Sequence, residues 1–267
     1  FDGTSWVGTT SQSSETLNGV WGGATDRAWA VGEHGTLLRY DGRQWVPIQS
    51  PTTEALRSIW GSSTTDIWAV GENGTLLHFD GQSWIPQSIG TTMAFSAVWG
   101  SGPRDVWAMG YGNQSFHFDG QTWNPVSMGS TLLVASVWGT SPTDVWAVGY
   151  DYTSRTGVIL HSSGQTWIRY FATSGPRLGT VFGSPQGDVF AAGELGMLLR
   201  LVKGRWETLP PLSMNRLLAG ATFSAQLGVA VGDNGTTLRF DGLTWKSVSE
   251  GDTTNLFAIS NVGPSDN

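Results

Sequence analysis

Residues 58–84 read SIWGSSTTDIWAVGENGTLLHFDGQSW. Four short runs rich in β-branched, aliphatic and aromatic residues alternate here with turn-forming residues. Asn73-Gly74 and Asp80-Gly81 are hairpin dipeptides, because both central residues of a type I′ turn need a positive φ angle. No 3.6-residue period is sustained, so helix is expected to be nearly absent. The segment predicts a four-stranded antiparallel meander.

This unit recurs along the whole chain. One tryptophan in the last strand of the unit returns at spacings of 39, 39, 39, 44, 39 and 39 residues. The seven positions are Trp6, Trp45, Trp84, Trp123, Trp167, Trp206 and Trp245. A meander of about 40 residues is the size of a propeller blade, and a single blade needs neighbours to bury both faces of its sheet. The sequence therefore predicts one all-β domain over residues 1–267, a seven-bladed β-propeller of four-stranded antiparallel blades.

The two ends of the chain are predicted to share the seventh blade. First strands end near Trp21, Trp60, Trp99, Trp138, Phe182, Phe223 and Ser260, whereas second and third strands recur only six times. Seven full repeats would need 278 residues, 11 more than the chain has. We expect an incomplete seventh blade that takes its first strand from the C-terminus and its fourth strand from the N-terminus. A six-bladed ring with surplus terminal strands is the alternative. The open strand edges of an incomplete blade would also offer a second copy a route to a homo-oligomer.

Composition excludes several function classes. The net charge of −7 and the lack of any basic run argue against a nucleic-acid partner. No apolar stretch approaches the roughly 20 residues that span a bilayer. The chain has no cysteine, which excludes disulfides and thiolate metal sites. Because no metalloprotease, serine-hydrolase or phosphate-loop motif occurs, we expect no enzymatic activity, no cofactor and no metal.

Charged residues recur at two registers of the repeat. Aspartates precede the second strand at Asp26, Asp66, Asp105, Asp144 and Asp188. We expect their carboxylates to accept hydrogen bonds from turn N–H groups. The third strand carries a cation at Arg39, His78, His117, His161, Arg200 and Arg239. Pairing of these cations with nearby turn aspartates is favoured over an anion-binding ring, because a repeated position usually serves the repeat itself.

Two further sets of residues are candidates for ligand contact. The turn between the second and third strands carries Glu33, Glu72, Glu194 and Asp233, with Tyr111 and Tyr150 in the other two repeats. This rim is suited to sugar hydroxyls or calcium, or is simply solvated. Paired aromatic residues occur at Trp21/Trp29, Trp60/Trp68, Trp99/Trp107 and Trp138/Trp146, and as Phe182/Phe190 and Phe223/Val229 in the fifth and sixth repeats. Indole rings suit sugar stacking, and they also suit a packed core.

The period is broken once, in the fourth repeat. Five additional residues fall around 151–155, and a loop that departs from a regular scaffold often carries function. Tyr150, Tyr152 and Arg155 are therefore predicted to make a contact that the other repeats lack. Tyr170, in the following connection, is expected on the same face.

The run Trp-Ala-Val-Gly-x-x-Gly-Thr-Leu-Leu-x-x-Asp-Gly-x-x-Trp, at residues 29–45 and 68–84, carries a family resemblance. It resembles the bacterial propellers of the photosystem II stability/assembly-factor-like group, which are related to the Asp-box repeats of sialidases. The Asp-box form is shortened here, and Ser163 and Lys203 replace the aspartate in the fourth and fifth repeats. The resemblance implies a propeller fold and a secreted, periplasmic or cell-surface location, and no sialidase catalytic residue has a match.

These observations predict a non-catalytic binding propeller. The leading hypothesis is lectin-like glycan binding at aromatic grooves between blades, through Trp21, Trp60, Trp99, Trp138, Glu33, Glu72, Tyr111, Tyr150, Tyr152 and Arg155. The alternative is a protein–protein interaction or assembly scaffold, with one contiguous patch near the insertion of the fourth repeat. A glycosidase or lyase is a third hypothesis, and it requires a carboxylate pair with perturbed pKa values in a deep cleft.

Overall fold

The computed structural model describes residues 8–24, 27–164, 166–184, 187–248 and 253–260. Antiparallel β-strands make up most of these residues, in agreement with the pattern of short β-rich runs. The helical segments among them are four short 3-10 turns, at Glu33–Gly35, Glu72–Gly74, Glu194–Gly196 and Asp233–Gly235. Within the described ranges there is no helix long and apolar enough to cross a membrane.

Four repeats each form a separate four-stranded sheet whose strands lie side by side in chain order. Repeat 1 contains β1 (Leu17–Ala24), β2 (Arg27–Gly32), β3 (Leu37–Tyr40) and β4 (Trp45–Ile48). Repeat 2 contains β5 (Leu56–Ser63), β6 (Asp66–Gly71), β7 (Leu76–Phe79) and β8 (Trp84–Pro86). Repeats 3 and 4 contain β9 (Phe95–Gly102), β10 (Asp105–Phe118), β11 (Trp123–Ser141), β12 (Asp144–Asp151), β13 (Thr156–Ser162) and β14 (Trp167–Ser174). Repeat 5 contains β15 (Leu178–Gly183), β16 (Val189–Gly193), β17 (Leu198–Val202) and β18 (Arg205–Thr208). Repeat 6 contains β19 (Leu217–Ser224), β20 (Leu227–Gly232), β21 (Thr237–Phe240) and β22 (Trp245–Val248).

Repeats 3 and 4 are joined in one six-stranded sheet. Tyr111 and Gly112, which were predicted to form a turn, instead lie within β10. They pair with Leu133 and Leu132 of β11, so pairing continues from one repeat into the next. The prediction of four-stranded antiparallel sheets is confirmed. The prediction of seven separate blades is wrong for the described residues, which form five sheets, four of them four-stranded. The predicted fourth strand of a seventh blade, at Trp6, lies outside the described residues.

The core lies between neighbouring sheets. At each of the five interfaces between repeats 1 to 6, the periodic tryptophan of the fourth strand packs edge-on against an aromatic ring in the second strand of the preceding repeat. The ring-centroid distances are 5.3 Å for Trp29–Trp84, 5.2 Å for Trp68–Trp123, 5.1 Å for Trp107–Trp167, 5.4 Å for Trp146–Trp206 and 5.3 Å for Phe190–Trp245. Each edge-to-face pair contributes about 0.5–1.5 kcal/mol beyond the area that it buries. The tryptophan recurs with a period of 39 residues because in repeats 2 to 6 it packs its sheet against the preceding one.

Backbone geometry confirms one predicted hairpin and corrects another. Asn73 and Gly74 both have positive φ angles, 52° and 71°, as the type I′ argument requires. At the second dipeptide only Gly81 is left-handed, with φ 94°. Asp80 instead accepts hydrogen bonds from the N–H groups of Gln82 and Ser83, so its side chain holds the turn.

The register of repeat 6 also differs from the predicted one. The aromatic pairs of repeats 1 to 5 face each other across the first and second strands as expected. In repeat 6, however, Val229 faces Ala221 rather than Phe223. The motif that marks this position elsewhere is lost, because Ala221 stands where the other repeats carry an aromatic residue.

Candidate functional site

An axial channel of about 770 Å³ lies where the first strands of the repeats come together. The first strands of the repeats form its wall, and residues 257–260 complete the wall between repeats 6 and 1. Small or hydroxyl-bearing side chains such as Gly19, Ser58, Ser136 and Thr180 line much of it. The channel is therefore polar and narrow, and it offers no paired buried carboxylates of the kind that a glycosidase uses among its described lining residues.

The four first-strand tryptophans are wedged between repeats. The six-membered rings of Trp21, Trp60, Trp99 and Trp138 lie against glycines of the next repeat, at Gly61, Gly100, Gly139 and Gly183. A methyl group at Gly100, for example, would lie 2.7 Å from Cη2 of Trp60. These rings close the inner wall of the channel, so the structure gives them a packing role. The sugar contact proposed for them stays a prediction.

A smaller groove of about 450 Å³ lies between repeats 1 and 2. Trp29, Trp84 and Arg39 line it. Both tryptophans are buried, with 4% and 8% of their surface exposed, so they present little ring surface to a ligand.

The predicted pairing of third-strand cations with turn aspartates is confirmed in four repeats. The pairs are His78–Asp66 at 2.6 Å, His117–Asp105 at 2.6 Å, His161–Asp144 at 2.9 Å and Arg200–Asp188 at 2.8 Å. Asp26, the predicted counterpart in repeat 1, lies outside the described residues. The main hydrogen-bond partners of these carboxylates are side chains. The prediction that they accept hydrogen bonds from turn N–H groups therefore did not identify these partners. Each pair joins the third strand of a repeat to the start of the second strand of the same repeat, which is a structural role.

In repeats 2, 3 and 4, a serine or threonine hydroxyl and a tryptophan ring join the histidine–aspartate pair, which gives a cluster of four residues. In repeat 3, the hydroxyl of Ser101 donates to Asp105 at 2.6 Å, and the His117 ring stacks on Trp107 with centroids 4.4 Å apart. Burial disfavours the ionised carboxylate, but hydrogen bonds from His117 and Ser101 outweigh it and lower the pKa of Asp105. The same arrangement surrounds Asp66 and Asp144.

Replacement of Asp105 by asparagine should therefore destabilise the fold. Asp105→Asn keeps the shape but removes the charge that strengthens both hydrogen bonds, and we expect a loss of about 1 kcal/mol. Urea unfolding at neutral pH measures it. Asp119→Asn, in the exposed turn of the same repeat, is the control and should change the midpoint far less. Equal effects of the two substitutions would contradict a special role for the cluster.

The acidic rim is ion-paired. Arg57 bridges two repeats, with Nη1 2.5 Å from Glu33 and Nε 2.9 Å from Glu72. A hydrogen bond from Asn18 is the largest contribution that lowers the pKa of Glu33. Arg216 likewise binds Asp233 at 2.6 Å. Sequence reasoning missed these arginines, because Arg57 and Arg216 occupy different positions of the repeat and follow no common motif.

Three of the predicted tyrosines converge on one exposed surface. The ring centroid of Tyr152 lies 5.1 Å from that of Tyr150 and 5.9 Å from that of Tyr111. Tyr111 and Tyr152 are 51% and 42% exposed. The guanidinium of Arg177, which precedes repeat 5, lies over the rings of Tyr150 and Tyr152. We call Tyr111, Tyr150, Tyr152 and Arg177 the tyrosine cluster.

The inserted segment of repeat 4 is held rigidly beneath this cluster. Asp151 is buried and accepts hydrogen bonds from the backbone of Thr153 and Ser154 at 2.8 and 3.2 Å. The Arg169 guanidinium donates to the same carboxylate at 2.5 Å. Arg155 is exposed in the turn, with φ 54°. Tyr150 and Tyr152 therefore flank a carboxylate that ties the inserted turn to β14.

Tyr170 does not join the cluster. It lies within β14, where its ring contacts Trp146 at 5.2 Å and His161 at 6.1 Å. Its hydroxyl donates to the carbonyl oxygen of Gly204 at 2.8 Å. The prediction placed Tyr170 in a connection, but the strand runs on to Ser174 and points this ring toward the Asp144 end of the sheet.

No group of three or more His, Cys, Asp or Glu side chains in the described part of the chain is arranged to hold a metal ion. What the structure does bring together is an exposed aromatic surface beside an ion-paired rim, around a channel walled by the first strands of successive sheets.

Four-stranded antiparallel sheets stacked around an axial channel define a β-propeller. The solved structures that are similar to this chain include two propellers described as YCF48. One, described as YCF48 bound to D1 peptide, is 19% identical with a TM-score of 0.69, and the match covers 88% of this chain and 83% of that one. YCF48 from Cyanidioschyzon merolae is 14% identical with a TM-score of 0.70, and the match covers 92% and 89% of the two chains. No family model and no curated protein sequence matches. At these identities the likeness establishes the fold alone.

Proposed function

We propose that this chain is a non-catalytic propeller that binds a peptide segment of a partner protein at the tyrosine cluster. The observation that carries the proposal is the convergence of three tyrosines on one exposed surface. Tyrosine is enriched at the energetic centres of protein interfaces, since it offers a large contact area at modest entropic cost. The cluster is also unique to one side of the ring, as a scaffold with one contiguous patch requires.

The fold likeness points the same way. One of the similar propellers is described with a bound peptide, which shows what that protein does with this fold. The lectin-like hypothesis has less support, because it relied on equivalent tryptophan grooves and these rings are wedged against glycines. An enzyme has less support still, because the lowered pKa values of the half-buried Asp66, Asp105 and Asp144 reflect structural hydrogen bonds.

Residues 253–260 contact both neighbouring repeats, although they form no strand in the structure. Thr254 accepts a hydrogen bond from Gly235 at 2.7 Å, and the N–H of Leu256 donates to Gly232 at 3.1 Å, so the segment follows repeat 6 closely. On its other side, Gly22 of repeat 1 donates to the hydroxyl of Ser260 at 3.2 Å. Ser58 links repeats 2 and 3 in a comparable way, by accepting from Val98. The prediction that the C-terminal residues supply the first strand of a seventh blade is therefore wrong for the described residues, and strand addition by a second copy stays a prediction.

A display experiment tests the binding proposal. Peptides selected from a random display library on the wild-type propeller should lose at least about tenfold in affinity on a Tyr111→Ser/Tyr152→Ser variant, because two interface tyrosines are removed. Leu243→Ser is the matched control, since Leu243 is 84% exposed at a distant turn and should leave binding unchanged. A glycan array run in parallel addresses the lectin alternative. Sugar binding without any selected peptide, or selected peptides that ignore the tyrosines, would overturn the proposal.

A further inference from the structure

Arg177 occupies a cation site made of aromatic rings. Its guanidinium carbon lies 4.8 Å from the ring centroid of Tyr150 and 5.5 Å from that of Tyr152. Both distances fall within the roughly 6 Å over which a cation is attracted to an aromatic face. Because the rings of Tyr150 and Tyr152 are nearly perpendicular, at 84°, they form two walls around the guanidinium.

A carboxylate completes this site, and it is positioned without the Arg177 side chain. Glu194 accepts a hydrogen bond from the backbone N–H of Arg177 at 3.0 Å through Oε2. Its other oxygen, Oε1, faces Nε of Arg177 at 3.9 Å. The backbone bond stays in place when the side chain moves or is removed, so the site keeps its negative charge.

The guanidinium of Arg177 is held loosely. Its side chain is 49% exposed, and the 3.9 Å ion pair is at the long limit of such contacts. Exposed ion pairs of this kind contribute only about 0–1 kcal/mol. Arg216, which precedes repeat 6 as Arg177 precedes repeat 5, binds Asp233 much more closely, through Nε at 2.6 Å and Nη2 at 3.2 Å. Arg177 is thus the more easily displaced of two equivalent arginines.

We infer that Tyr150, Tyr152 and Glu194 form a binding site for an arginine side chain of a partner protein, and that Arg177 occupies it as a built-in competitor in the free chain. The inference rests on the proposed function and names the chemical class that the tyrosine cluster recognises. A planar guanidinium stacks on aromatic faces and pairs with a carboxylate at the same time. A cationic ligand also suits a chain whose net charge is −7.

The test removes the competitor. N-acetyl-arginine amide is titrated into the wild type and into Arg177→Ala, with binding followed by NMR shifts of the tyrosine rings. Binding to Arg177→Ala should be about tenfold tighter than to the wild type, because the ligand no longer displaces an internal guanidinium. N-acetyl-citrulline amide, which has the same shape without the charge, should bind neither protein. Adding Tyr152→Ala to Arg177→Ala should abolish the gain.

Arg216→Ala is the matched control, because it frees Asp233 at the equivalent position without vacating the tyrosine pair. It should bind no more ligand than the wild type does. Equal binding by the wild type and Arg177→Ala, equal binding of citrulline, or an equal gain from Arg216→Ala would overturn the inference. If displayed peptides still depend on Tyr111 and Tyr152, the peptide-binding function stands and only the arginine specificity falls.

Discussion

Gly100→Ala should lower the free energy of unfolding by about 3 kcal/mol, near the top of the range for an overpacked core. The added methyl group would lie 2.5 Å from the carbonyl oxygen of Asp105 and 2.7 Å from Cη2 of Trp60. Neither neighbour can yield readily. The carbonyl belongs to the paired strand β10, and Trp60 packs against two hydrophobic clusters of the core.

Gly102→Ala provides a control two residues along the same strand. A methyl group there would meet no atom within 4 Å. Without a clash, the substitution should be neutral or stabilise by about 0.4–1 kcal/mol, since it reduces the entropy of the unfolded chain. Urea unfolding of both variants measures the difference. Similar midpoints for the two would show that the tryptophan and glycine of neighbouring repeats do not interlock as the structure indicates.

This interlock also explains how much of the fold the sequence could reveal. Trp60 and Gly100 lie about one period apart, so a repeat search finds them, and the strands around them follow from local pattern. The pairing of His78 with Asp66 was predictable for the same reason, because both positions recur. Features that every repeat shares leave a periodic signal, and that signal is structural.

Features that only one repeat has leave no such signal. Arg177 was not a predicted site residue, since nothing in its local sequence shows that it lies over Tyr150 and Tyr152. The register at Ala221 was misread because small residues replace the aromatic marker. Pairing of Tyr111 with Leu133 depends on contacts between repeats, which local turn chemistry does not encode. The candidate site was therefore predicted in part: the break in the period pointed to Tyr150 and Tyr152, whereas Arg177 gave no signal.

The insertion that positions this site depends on one carboxylate, so Asp151→Asn should have the second large effect. Asp151 is only 4% exposed. Burial disfavours its charge, but the hydrogen bonds from Arg169, Ser154 and Thr153 outweigh burial and lower the pKa of Asp151 from 3.8 to about 2. The amide variant removes the negative charge that pairs with the Arg169 guanidinium. We expect a loss of about 2–3 kcal/mol at neutral pH, the range for hydrogen bonds to charged groups.

The pH dependence of this loss distinguishes charge from shape. Because the folded pKa lies below the unfolded value, the contribution of the carboxylate is complete above pH 3.8 and fades as the pH falls toward about 2. The stability difference between wild type and Asp151→Asn should therefore shrink over that window, as measured by urea unfolding at a series of pH values. Asp41→Asn is the matched control, since Asp41 also accepts two backbone N–H bonds but is exposed. If the Asp151→Asn difference stays constant with pH, packing and not charge holds the insertion, and Tyr150 and Tyr152 would keep their places without the Arg169 ion pair.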